Sequence, residues 1–141
     1  MKRILIFVLS LMFVLQVPVG VFAVELQQDE NVVIVPRYIA ANTVTSTLSI
    51  ASKTATCVGS AKAINNNYTI SITVKLQKQS GTAWSTVATW TGSGSGTAGA
   101  RVSGTKSSLA SGKYRTNVVA KFSQNGKVVE TVTVNSATKA I

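Results

Sequence analysis

From Tyr68 to Gln79 the chain reads Y-T-I-S-I-T-V-K-L-Q-K-Q, with Tyr68, Ile70, Ile72, Val74 and Leu76 separated by Thr69, Ser71, Thr73 and Lys75. A period of two belongs to a strand and excludes an amphipathic helix. One face of this stretch must lie on a core and the other in water. It is expected to be the central strand of an antiparallel sandwich.

Further strand signals recur at the spacing of such a fold, with turn chemistry between them. Val44 to Ile50 is short, with Leu48 and Ile50 in phase. Thr54 to Ala63 sets the small residues Ala55, Cys57, Gly59, Ala61 and Ala63 against polar neighbours. Asn65-Asn66-Asn67 and Ser80-Gly81-Thr82 are turns, the second leading into a strand over Ala83 to Trp90. Thr91 to Gly99, T-G-S-G-S-G-T-A-G, reads as a flexible loop. No Lys follows it at phosphate-loop spacing, so nucleotide binding is not expected. Ala98 to Gly104 is a weaker strand.

The run L-A-S-G-K-Y over residues 109–114 has the form of a tyrosine corner, in which the Tyr114 hydroxyl bonds back to nearby backbone where the chain crosses between sheets. Beyond it Tyr114, Thr116, Val118, Ala120 and Phe122 share one face, and Lys113, Arg115, Asn117, Val119 and Lys121 the other. Asn125-Gly126 specifies a type I′ hairpin turn, with Gly126 at its second central position. Counting back from that turn pairs Phe122 with Val129, Lys121 with Glu130 and Val119 with Val132, the last two pairs facing outward. No segment after residue 23 carries helical periodicity. The fold class is therefore all-β: an immunoglobulin-like or fibronectin-III-like antiparallel β-sandwich of about seven strands.

The first residues are read separately. M-K-R, an apolar run from Ile4 to Leu15 and the small-residue site Val21-Phe22-Ala23 form a secretory signal peptide over residues 1–23. Residues 24–43 are a partly flexible arm whose Val32–Val35 run is either an edge strand or a tail folded over the domain. Residues 44–135 are the sandwich, and 136–141 a C-terminal tail. No second apolar run is long enough to span a membrane. The product is expected to be secreted or extracellular, with cell-wall association as an option. Cys57 is the single cysteine, so no internal disulfide forms. It is either a small core residue or half of an intermolecular disulfide.

Charge narrows the function classes. The chain has a formal charge of +10, and removing Lys2 and Arg3 with the signal peptide takes it to +8. From Arg37 onward there are twelve basic residues and one acid, Glu130. Such a balance favours anionic partners. Nucleic acid is not expected, because the charges are spaced singly and no nucleic-acid motif is present. There is no histidine and only one carboxylate inside the domain, so His-based and paired-carboxylate catalysis have no residues to use. Neither a metal site nor a cofactor is expected, and the chain is read as a non-enzyme.

Two surfaces remain as candidates. On the outer face of the sheet that holds the central strand, Lys75, Lys113, Arg115 and Lys121 surround Val119 and Val132, a cationic rim around apolar residues. Trp84 and Trp90 form a possible aromatic platform for sugars. Their register is open between two turns: one sets Gln77 opposite Trp84 with both rings outward, the other sets Lys78 opposite Trp84 with both inward.

Taken together, P-R-Y (36–38), A-T-C-V-G-S-A (55–61), L-Q-K-Q-S-G-T-A-W-S-T-V-A-T-W (76–90) and L-A-S-G-K-Y-R (109–115) resemble a family of small secreted immunoglobulin-like proteins of Gram-positive bacteria of the clostridial group. The resemblance spans nearly all of residues 36–135. It implies an extracellular β-sandwich and makes anionic wall polymers or polysaccharides natural partners, but carries over no residue role. The leading expectation is a secreted binding module for such a polymer or for a protein partner on the surface. A structural or assembly subunit and a secreted toxin or bacteriocin-like effector are the alternatives.

Overall fold

The computed structural model describes residues 38–141; the signal-peptide reading and the Val32–Val35 run lie outside them. Eight strands follow one another: β1 (Ala41–Ala51), β2 (Thr54–Ala63), β3 (Thr69–Ser80), β4 (Ala83–Ser95), β5 (Ala100–Lys106), β6 (Lys113–Gln124), β7 (Lys127–Asn135) and the two-residue β8 (Lys139–Ala140). They form two antiparallel sheets, β1-β2-β5 and β4-β3-β6-β7, with β8 pairing the start of β6. This is the expected immunoglobulin-like, fibronectin-III-like sandwich, and β3 lies inside its sheet as the alternation demands.

The core follows from that alternation. Tyr68, Ile70, Ile72, Val74 and Leu76 are buried on one side of β3, and Tyr114, Thr116, Val118, Ala120 and Phe122 on the same side of β6. From the opposite sheet they meet Ala55, Cys57, Ala61 and Ala63, small residues that let the layers approach closely. Gly59 is the tightest point: a β-carbon there would stand 2.6 Å from Val74 Cγ2 and 2.8 Å from Val118 Cγ2.

Tyr114 makes the expected corner, its hydroxyl donating to the Ala110 carbonyl at 2.7 Å. Tyr114→Phe should lower stability by about 1–2 kcal/mol, the range for a buried carbonyl losing its donor. A urea midpoint that falls with an unchanged slope is the measurement. The tail also joins the sheet. Ser136 N donates to the Thr116 carbonyl, and Ile141 and Gly112 exchange backbone hydrogen bonds.

Three sequence expectations are corrected. First, Thr91 to Ser95 is not loop but the second half of β4, and the turn is confined to Gly96–Gly99. Gly92 and Gly94 occupy inward positions where a β-carbon would strike Val102 Cγ2 and the Gly99 carbonyl, so glycine here serves close packing and not flexibility.

Second, Asn125 and Gly126 do adopt positive φ, at 52° and 78°, and Ser123 does pair with Val128. A bulge at Val129 then shifts the register, giving Phe122↔Glu130, Lys121↔Thr131, Ala120↔Val132 and Val119↔Thr133. Without the bulge Thr131 and Thr133 would point into the core and Val132 and Val134 into water; with it the valines go inward. Val132 is 4% exposed, so it is a core residue and not part of the outer face.

Third, Glu130 does not pair with Lys121. Its Oε1 accepts from Ile39 N at 3.0 Å, and its Oε2 accepts from Ala40 N and Ala41 N, both at 2.8 Å. Burial pushes this carboxyl up, but the amides of Ala40, Ala41 and Ile39 outweigh it and hold the group below its ordinary value. The one acidic side chain of the domain is a clasp that ties the start of β1 to β7.

Candidate functional site

The outer face of the β4-β3-β6-β7 sheet is built from the residues that alternate with the core. Lys75 on β3 and Lys113, Arg115 and Lys121 on β6 all stand on it, as expected, and Val119 lies half-buried among them. The residue opposite Val119 is Thr133, not Val132, so the apolar patch is reduced to one valine in a field of hydroxyls and amides. Thr73 and Thr91 continue the Val119 row, and Ser71 and Ser93 the Lys121 row. In the Lys75 row, Asn117 Nδ2 donates to Asn135 Oδ1 at 2.8 Å.

The two tryptophans part company. The turn into β4 is two residues, with Ser80↔Ala83 and Gln79↔Trp84. A bulge at Val87 then breaks the phase, so that Ala88 pairs with Leu76 and Trp90 with Val74. Trp84 therefore faces outward and Trp90 inward, and neither of the shared-face registers holds. Trp90 packs against the core with its ring directly on Gly104, where a β-carbon would lie 2.1 Å from Cδ2. It has no place in a sugar platform.

Trp84 instead supports Arg115. The guanidinium carbon sits 4.2 Å from the indole centroid, a stacking distance, and Arg115 Nε donates to Gln77 Oε1 at 2.9 Å. The amide uses Nε alone, so the two terminal nitrogens keep the forked donor pattern that matches a carboxylate or phosphate. Sequence alternation places Arg115 and Gln77 outward, but it is the two-residue turn, setting Gln79 opposite Trp84, that brings the indole under the guanidinium, while the bulge turns only Trp90 inward.

Along β6, Arg115 and Lys121 are separated by roughly 20 Å at the usual strand rise. The cations form a line along the sheet rather than a pocket. Lys78 is not part of it; its ammonium lies over the Tyr114 ring, 5.8 Å from the centroid. Cys57 is fully buried, which closes it to a partner's cysteine, and burial raises its thiol pKa despite the Thr116 hydroxyl beside it. Among the described residues that hydroxyl has no other polar partner. Among the described residues no three His, Cys, Asp or Glu side chains come together, and no helix is long and apolar enough to cross a membrane.

No protein-family model matches the chain, and a search of curated proteins finds no match either.

Proposed function

We propose that the chain is a secreted, non-enzymatic binding module that holds an anionic cell-envelope polymer along the outer face of the β4-β3-β6-β7 sheet. The observation that carries this reading is Arg115, stacked on Trp84 and oriented by Gln77, with its terminal nitrogens bonded to none of the described residues. A side chain already fixed in this way loses little freedom on binding. Lys113, Lys75 and Lys121 extend the cationic line, and a repeating polyanion laid along β6 meets them in succession. The only acid of the domain is bound to backbone amides, so it neither neutralises this face nor repels such a ligand. The resemblance to secreted Gram-positive proteins agrees with a wall polymer as the ligand.

The test is binding to isolated Gram-positive cell wall, intact or stripped of its phosphate polymers. Binding is expected to fall as salt rises and to fall on stripping. Arg115→Gln should weaken it about tenfold, near the low end for losing one anchoring contact. Arg115→Lys should recover little, because an ammonium neither stacks nor forks. Wall binding that is indifferent to salt, or to both variants, removes the proposal.

A further inference from the structure

We propose that the Arg115 end of this face takes an acidic sugar, a ring carrying a phosphate or a carboxylate, with the anion on the guanidinium and the ring hydroxyls on the polar side chains around it. This rests on the binding surface proposed above and names the unit that it recognises. Arg115 on β6 is the direct partner of Gln77 on β3, and Gln79 on β3 is the direct partner of Trp84 on β4. The guanidinium bonds Gln77 and stacks on Trp84, so cation and indole meet over β3, the strand between their own. The charge is thereby fixed in the sheet and not left to swing. Gln77 and Gln79 stand two residues apart on the same face of the strand beneath it, and Thr86 lies opposite Gln77. Gln77 gives its Oε1 to Arg115, and its amide N–H groups are bonded to none of the described residues.

The groups around the charge select the ligand. A polyphosphate accepts hydrogen bonds and donates none, so it leaves the acceptor oxygens of Gln79 and Thr86 unused. A sugar hydroxyl both donates and accepts, and it can use either end of an amide. A neutral sugar, in turn, leaves the forked terminal nitrogens of Arg115 without the anion that their geometry matches. A ring that carries an anion satisfies both sets at once. The rest of the face has the same composition. Thr73, Thr91 and Thr133 share with Val119 the row between those of Lys75 and Lys121, so hydroxyls separate one cation from the next. A ligand charged at every phosphorus would lay much of its charge against these neutral groups. A polysaccharide with spaced anions and many hydroxyls meets cation with anion and hydroxyl with hydroxyl.

Titration of the isotope-labelled protein, followed by the magnetic resonance signals of Arg115 Nε and Trp84 Nε1, tests this. The probes are glucose monophosphate, glucuronate, glucose and inorganic phosphate. An acidic sugar should bind about tenfold more tightly than glucose or inorganic phosphate, the worth of one or two added hydrogen bonds. The tighter of the two acidic sugars identifies phosphate or carboxylate as the anion. Replacing Gln79→Ala together with Thr86→Ala, both on the sheet surface, should remove most of that preference and leave inorganic phosphate within about twofold. Inorganic phosphate that binds as tightly as both acidic sugars overturns the inference. So does a preference that the double variant leaves intact. In either case Arg115 still responds to charge, and the polyanion surface stands. If no anion moves the Arg115 signal, soluble wall fragments included, both readings fall.

Discussion

Gly59→Val is expected to destabilise the domain by about 3 kcal/mol, at the upper end of the usual range for overpacking a core. A β-carbon at residue 59 would already stand 2.6 Å from Val74 Cγ2 and 2.8 Å from Val118 Cγ2, and those methyls belong to β-branched side chains with little rotamer freedom. They sit on β3 and β6, the two inner strands of the facing sheet, so relief requires the layers to separate. For a domain of this size the loss corresponds to a melting temperature lower by about 12–24 °C. Calorimetry measures it, and a compensating Val118→Ala in the Gly59→Ala background should recover part of the smaller loss there. A Gly59→Val protein that melts within a few degrees of wild type would show that the sheets are not held at this spacing.

Glu130→Ala should cost about 2–3 kcal/mol, because three backbone amides lose a charged acceptor at once. Water replaces part of the loss at Ile39, whose bond is exposed, and less of it at Ala40 and Ala41. The effect has a pH signature. Glu130 titrates below its ordinary value of 4.5 in the folded protein, so its contribution is complete above that value and disappears as pH falls through the lower native one. Glu130→Gln keeps one carbonyl oxygen and should lose roughly half as much at neutral pH. The gap between wild type and Glu130→Gln should close in acid, while the arm carboxylates, common to both proteins, cancel in the difference. Denaturant titrations of both proteins from neutral to acid pH give the curve. A gap that does not change with pH would mean that the clasp does not depend on ionisation.

Much of the fold was legible because burial in a strand is a local property. Tyr68 to Leu76 and Tyr114 to Phe122 declare their inner faces residue by residue, and every one of those inward positions is buried. The corner at Tyr114 and the turn at Asn125-Gly126 are equally local. The cations of the candidate site came from the same rule, since Lys75, Arg115 and Lys121 alternate with core residues on strands that remain regular at those positions. The Val132 assignment failed although its own sequence held the warning. E-T-V-T-V can bury its valines only if the strand slips one residue against the register that the hairpin turn imposes, and the chain takes that slip as a bulge.

The amino-acid order by itself thus determined most of the strands, the apolar faces of β3 and β6, the turns at Ser80-Gly81-Thr82 and Asn125-Gly126, and that the domain carries one acid among many cations; it did not show that β4 runs on to Ser95. Tertiary structure alone decided what stands beside what. It sent Trp84 under Arg115 and Trp90 onto Gly104, moved Val132 inward, and took Glu130 from Lys121 to the amides at the start of β1. The reason is that a two-residue rhythm is written along one strand, whereas a bulge is chosen by the balance of burial between two, and one inserted residue reverses the facing of everything after it.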